Sequence, residues 1–216
     1  MKMQRLLVGI VFVVILGGCA IGKKESKPDS QLADVSMENI ETPLMFEMVR
    51  GYKDACANGD YQKCYNTGVL YARGDGKTQF YNKAVHYFRT ACGGGYVKAC
   101  TKLGTMFEEG VGVRYSLNTA LRYYQGACSL NEPDACNNLA RFVERGIIVD
   151  KDSKYAALLY EKSCAGGSSS ACLNIAKAYL KGKGVSKDKK MAKNFFGLAC
   201  DAGVQEACKS FKALSD

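Results

Sequence analysis

Cys164-Ala-Gly-Gly-Ser-Ser-Ser-Ala-Cys172 is the stretch that decides how this chain folds. The same spacing recurs at Cys56/Cys64, Cys92/Cys100, Cys128/Cys136 and Cys200/Cys208, eight residues within each pair and thirty-six from one pair to the next. An interval kept without insertion over four periods marks an array of structural repeats. In continuous helix, residues this far apart would be about 12 Å from each other along the axis, whereas a disulfide needs Cα atoms about 4.4–6.8 Å apart. The chain must therefore reverse inside each pair. Gly93-Gly94-Gly95, Leu130-Asn131-Glu132-Pro133-Asp134, Gly166-Gly167 and Asp201-Ala202-Gly203 supply the turn and helix-stop chemistry. Ten cysteines allow hundreds of connectivities, but only neighbour pairing repeats with the period and needs a single turn geometry. Each pair reads as a staple across a helix-helix corner.

Outward from the staples the pattern is helical on both sides. Three, four and seven residues after the second cysteine stand Thr67/Leu103/Leu139/Ile175, then Gly68/Gly104/Ala140/Ala176, then Tyr71/Phe107/Val143/Tyr179, one face of a first helix. Gly74, Gly110, Gly146 and Gly182 follow at ten, where a left-handed residue ends a helix. A polar loop leads to a second helix whose buried columns are Ala84/Ala120/Ala156/Ala192, Tyr87/Tyr123/Leu159/Phe195 and Phe88/Tyr124/Tyr160/Phe196. These aromatics read as core.

The run Ala-Cys-x-x-Leu-Gly-x-x-Phe-x-x-Gly-x-Gly-Val over 99–113, followed by Ala120-Leu-Arg-Tyr-Tyr-Gln-Gly-Ala-Cys128, resembles the Sel-one-like repeat, a relative of the tetratricopeptide repeat. One cysteine pair per unit makes it similar to the cysteine-rich Hcp-type branch. The resemblance implies an all-α, right-handed α-solenoid of antiparallel helix pairs over residues 42–216, with one disulfide per repeat and partial repeats at both ends. A leading partial unit keeps only a second helix, about Pro43 to Ala57, with Met48 in the alanine column and Gly51 in the aromatic one. Departures at the ends are what solenoid caps show. Ile148, where the other units place Gly76, Gly112 and Gly184, departs in mid-array and puts that corner's geometry in question.

The amino terminus carries an address. Lys2 and Arg5 precede an apolar run from Leu6 to Leu16, secretory in order and short for a membrane span. Leu16-Gly17-Gly18-Cys19 resembles a bacterial lipobox, which implies a signal peptide at 1–18, lipidation of Cys19 and a flexible tether over 19–41. With Ala20 next, the resemblance implies anchoring in the bacterial outer membrane, on its periplasmic side or at the cell surface. Export fits ten paired cysteines, which belong to an oxidising compartment.

The chain has 30 Lys and Arg against 21 Asp and Glu, a formal +9, and removal of residues 1–18 would subtract Lys2 and Arg5. That charge is spread along the repeats with no basic helix stripe, so nucleic acid is not expected as a partner. Chemistry is equally sparse. His86, the single histidine, occupies a surface column with Arg122, Leu158 and Asn194. Ser186-Lys-Asp-Lys189 matches the Ser-x-x-Lys of serine β-lactamases, but in an inter-helix loop and without Ser-Asp-Asn or Lys-Thr-Gly elements. No catalytic residue, metal site or cofactor is expected, and no Cys-x-x-Cys is present.

One column is not required by packing: Asn66, Lys102, Asn138 and Asn174, two residues after the second cysteine of each pair. A side-chain amide there could bond both the N–H and the C=O of an extended peptide, and solenoids commonly bind on the concave side. The expectation is a lipid-anchored scaffold holding a protein or peptide segment of the cell envelope in a groove. The family resemblance keeps a penicillin-binding or weak β-lactamase-like protein as the alternative, and a structural contact to peptidoglycan is a third reading.

Overall fold

The structure, a computed structural model, describes residues 43–73 and 80–215. Ten helices and no strand occur among them: α1 (Pro43–Ala57), α2 (Tyr61–Arg73), α3 (Tyr81–Gly93), α4 (Val97–Glu109), α5 (Leu117–Ser129), α6 (Pro133–Arg145), α7 (Ser153–Ala165), α8 (Ser169–Lys181), α9 (Lys189–Asp201) and α10 (Gln205–Ala213). Each first helix packs most extensively on the second helix of its own unit, α2 on α3, α4 on α5, α6 on α7 and α8 on α9. The chain is thus an all-α solenoid of helix pairs. The expected signal peptide, the lipidation candidate Cys19 and the expected tether lie outside the described residues, as do Gly74 and Gly76.

All five cysteine pairs are disulfides, with Cα–Cα distances of 4.7, 4.9, 4.6, 4.6 and 4.6 Å for Cys56–Cys64, Cys92–Cys100, Cys128–Cys136, Cys164–Cys172 and Cys200–Cys208. What reverses the chain is one left-handed residue three places after each first cysteine: Gly59, Gly95, Asn131, Gly167 and Gly203. Its N–H donates to that cysteine's carbonyl, and the next N–H reaches back to the residue before the cysteine, as in Gly167 to Cys164 at 2.9 Å and Ser168 to Ser163 at 3.1 Å. Asn131 fits because asparagine tolerates this conformation better than other residues with a Cβ. Closing each nine-residue loop is worth about 2.5 kcal/mol in the chain-entropy model. That is large beside a domain stability of roughly 5–15 kcal/mol, and useful to a fold that buries only neighbouring faces.

Between the helices of a unit the small column meets the large one. A Cβ on Gly104 would stand 2.6 Å from the Tyr124 ring and one on Gly68 2.7 Å from Phe88, so glycine sets how closely the pair can approach. Ser116, Asp152 and Asp188 start α5, α7 and α9, each accepting a bond from a first-turn N–H. Glu132 does the same for α6 while buried, and it also accepts a 2.7 Å bond from the Thr101 hydroxyl of α4.

Further along the pair, rings stack in parallel: Tyr71 on Tyr87, Phe107 on Tyr123 and Tyr179 on Phe195, with centroids 5.6, 5.7 and 5.6 Å apart. The third unit has Val143 and Leu159 instead. Its loop differs as well. Gly110, Gly146 and Gly182 are left-handed as expected, and Ile148 keeps a left-handed φ of 53° where Gly112 and Gly184 have 67° and 76°. The corner therefore keeps its geometry, at a cost of about 1–2 kcal/mol for a side chain in this region. At Gly184 a Cβ would lie 1.8 Å from the Ser153 carbonyl oxygen of the preceding second helix.

Candidate functional site: the inner face of the first helices

The first helices α6 and α8 contact each other directly, more than any two successive second helices do, which puts these two first helices on the inner side of the array. Each buries the flank that carries the second cysteine. Residues two before and two, five and nine after that cysteine fall on the opposite flank at 100° per residue. The Asn66, Lys102, Asn138 and Asn174 column lies on this inner stripe, but the four side chains meet four environments. Asn66 is only 4% exposed and its Nδ2 has no hydrogen-bond partner. Lys102 is exposed, and Asn138 is half-buried with no hydrogen bond among the described residues. Asn174 donates from Nδ2 to Oδ1 of Asn137 on the preceding first helix at 2.9 Å.

Polar ties within and between repeats complete the face, and sequence reading missed them. Arg141 of α6 reaches both oxygens of Glu108 on α4 at 2.8 Å. The buried Tyr124 hydroxyl donates to the same carboxylate at 2.7 Å. One repeat on, Tyr160 donates to Glu144 at 3.0 Å and Lys183 pairs with that carboxylate at 2.9 Å. Burial pulls Glu144 upward, but the bonds from Lys183 and Tyr160 outweigh it and its carboxyl ends below the usual range. Burial, with Glu144 and Glu108 adding to it, pushes the Tyr160 and Tyr124 hydroxyls well above the usual phenol, so they remain donors. The signal was present in the columns: the two tyrosines stand opposite Glu108 and Glu144, whereas Phe88 and Phe196 stand opposite Ala72 and Leu180. A hydroxyl occurs only where a carboxylate can receive it.

Toward the last units the stripe turns basic. Lys177 pairs with Glu206 of α10 at 2.7 Å. Glu144, Asn174, Lys177, Lys181 and Lys183 line a small cavity of about 120 Å³. This arrangement can hold a backbone through amides and a carboxylate through Lys181. It has no nucleophile with a base beside it. Ser186 is exposed in the loop between α8 and α9, and His86 is exposed on α3 with its ring edge-on to Tyr87 at 5.3 Å. Among the described residues no group of three or more His, Cys, Asp or Glu could hold a metal ion, and no helix is long and apolar enough to cross a membrane.

The Sel1 repeat model matches residues 64–96, 97–132, 133–168 and 169–204, well over half of the chain. The chain belongs to the Sel1 repeat family. The boundaries of its Sel1 repeats fall at the disulfide corners described above, each match from 97 onward opening on a first helix. Among solved structures, a Sel1 repeat protein from Oxalobacter formigenes is 26% identical with a TM-score of 0.70, over 78% of this chain and 67% of that one. The protective antigen c5321 of uropathogenic Escherichia coli, which displays an SLR fold, is 25% identical with a TM-score of 0.66 over 74% of this chain. This chain spans about a third of that protein's length, 34%. Cysteine-rich protein B of Helicobacter pylori is 32% identical over 62% of this chain and 98% of its own, with a TM-score of 0.49. No curated protein matches the chain.

Proposed function

We propose that the chain is a lipid-anchored, disulfide-stapled interaction scaffold of the bacterial envelope that holds an extended peptide or protein segment along its inner face. The observation that carries this reading is the inner stripe itself. It combines an amide column, in which the half-buried Asn138 makes no hydrogen bond among the described residues, with a basic niche around Lys181. The half-buried Asn138 amide is the member of the column that a bound backbone can reach with both a donor and an acceptor. The amides read peptide polarity and not sequence. The lysines favour a segment that carries acidic side chains, or its own terminal carboxylate, at the α8 end.

A photo-crosslinking residue placed at Asn138 or Lys181 tests the groove in cells. Discrete adducts to one envelope protein are expected from these positions and not from exposed Asn118 or Arg122. Adducts of equal yield from both faces would refute the groove. The anchor is tested separately, since labelled palmitate should enter the wild type and not Cys19→Ser. Label in that variant would remove the anchor from the proposal. A sacculus pull-down that retains the chain without any protein partner would favour the contact to peptidoglycan instead.

A further inference from the structure

Departures from the repeat pattern converge on one place in the third unit. Val143 and Leu159 stand where the other units stack two rings, and Ile148 stands in the loop that leads into α7. Between α5, α6 and α7 there is an open cavity of about 610 Å³, with Val143, Leu159 and Tyr155 in its apolar wall and Asp150, Asp152 and Lys162 among its rim residues. Its size falls in the range of roughly 300–1,000 Å³ typical of ligand sites. Leu130, Ile148 and Leu158, next in sequence to its lining residues, are exposed.

The first unit shows what belongs in such a place. The corresponding space between α1, α2 and α3 is smaller, about 380 Å³, with Tyr87 where α7 has Leu159. There the Tyr71 ring carries two ammonium groups, Lys53 Nζ at 5.3 Å and Lys83 Nζ at 5.4 Å from its centroid. In the third unit the rings are missing, and Gln125 and Tyr155 replace the two lysines in register. The loop contributes carboxylates in their place. Asp150 is exposed and makes no ion pair among the described residues, and Asp152 uses Oδ1 on the Tyr155 N–H and keeps its other oxygen. Across the rim, Lys162 Nζ donates to the Cys128 carbonyl oxygen at 3.2 Å.

We propose that this cavity docks a partner polypeptide through an aromatic side chain flanked by lysine or arginine. The ring enters between Val143 and Leu159 and supplies the missing stack, while the cation meets Asp150 and Asp152 on the rim away from Lys162. The chain's own tether cannot provide the ring, because residues 19–41 contain no Phe, Tyr or Trp. Leu139 and Val143 put the cavity on the flank of α6 opposite the inner stripe, so this site stands or falls independently of the groove proposed above.

The chain has no tryptophan, so a Trp-Lys peptide reports its own surroundings. The full chain with its bridges intact is titrated into acetyl-Gly-Trp-Lys-Gly-amide while indole emission and anisotropy are followed. A saturable blue shift in the micromolar to submillimolar range is expected. Val143→Phe with Leu159→Tyr rebuilds the pair found at Phe107 and Tyr123 and should weaken binding by about tenfold or more, as loss of a central aromatic pocket does. Asp150→Lys should weaken it as well, while Asn138→Ala with Asn174→Ala should leave it unchanged. Absence of saturable binding to the wild type, or equal binding by a folded rebuilt variant, overturns the proposal. Should the rebuilt variant not fold, a benzophenone-Lys peptide decides: adducts at Val143, Tyr155 or Leu159 support the site, and adducts elsewhere overturn it. Arg114-Tyr115 is an exposed pair of the same chemistry on this chain. Self-association in sedimentation equilibrium that Tyr115→Ser abolishes would give the cavity to a second copy and overturn the partner assignment.

Discussion

Replacing Glu108 and Tyr124 together should cost less than the two separate replacements summed. The Tyr124 hydroxyl is 2.7 Å from Glu108 Oε2 and only 3.4 Å from Thr105, so Glu108→Leu leaves it buried without a good acceptor. The same change takes both 2.8 Å bonds from Arg141. An orphaned hydroxyl costs about 1–3 kcal/mol. With Arg141 30% and Glu108 18% exposed, the ion pair adds on the order of 0.2–1 kcal/mol. Tyr124→Phe alone removes one bond, about 1 kcal/mol, and leaves the carboxylate on Arg141. The double variant reproduces the Leu180 and Phe196 pairing of the fourth unit, with no orphan left behind. A coupling energy of about 1–2 kcal/mol in favour of the double variant is expected from urea unfolding with the bridges intact. Single costs that add within about 0.3 kcal/mol would refute the Tyr124–Glu108 tie.

The loop that carries Gly184 should tolerate no side chain. Gly184→Ala puts a Cβ against the Ser153 oxygen at a φ of 76° and should lower Tm by several degrees, whereas Ile148→Gly should raise stability by about 0.5–1 kcal/mol, both read by thermal unfolding. Because the folded Glu144 carboxyl lies below its ordinary value of 4.5, its contribution is complete above that pH and is lost as pH falls through the folded value. Acid titration of stability should therefore show a limb that Glu144→Gln flattens. Purified protein should not turn over nitrocefin, and turnover that disappears in Ser186→Ala would overturn the scaffold reading.

The corners and the core were legible because both rest on local, periodic chemistry. A disulfide reach, a left-handed residue and helical columns are each decided within about ten residues. Asn131 shows the limit of composition, since it replaces glycine and keeps the conformation. The inner face was legible only as a register. Asn66, Lys102, Asn138 and Asn174 share a column, yet their surroundings depend on what the neighbouring repeat presents, as with Asn137 beside Asn174. Glu108 and Arg141 are 33 residues apart and met only when two repeats were stacked. The cavity of the third unit was hidden for the same reason. Val143 and Leu159 look like ordinary aliphatic choices until the walls from α5 and α7 are in place.

The central claim is that the inner stripe holds an extended segment. Its most direct test is the affinity of the crosslinked partner's segment for wild type and for Asn138→Ala with Asn174→Ala, by calorimetry on folded proteins. Loss of hydrogen bonds worth about 0.5–1.5 kcal/mol each predicts binding weaker by about an order of magnitude. Unchanged affinity in the double variant would contradict the account.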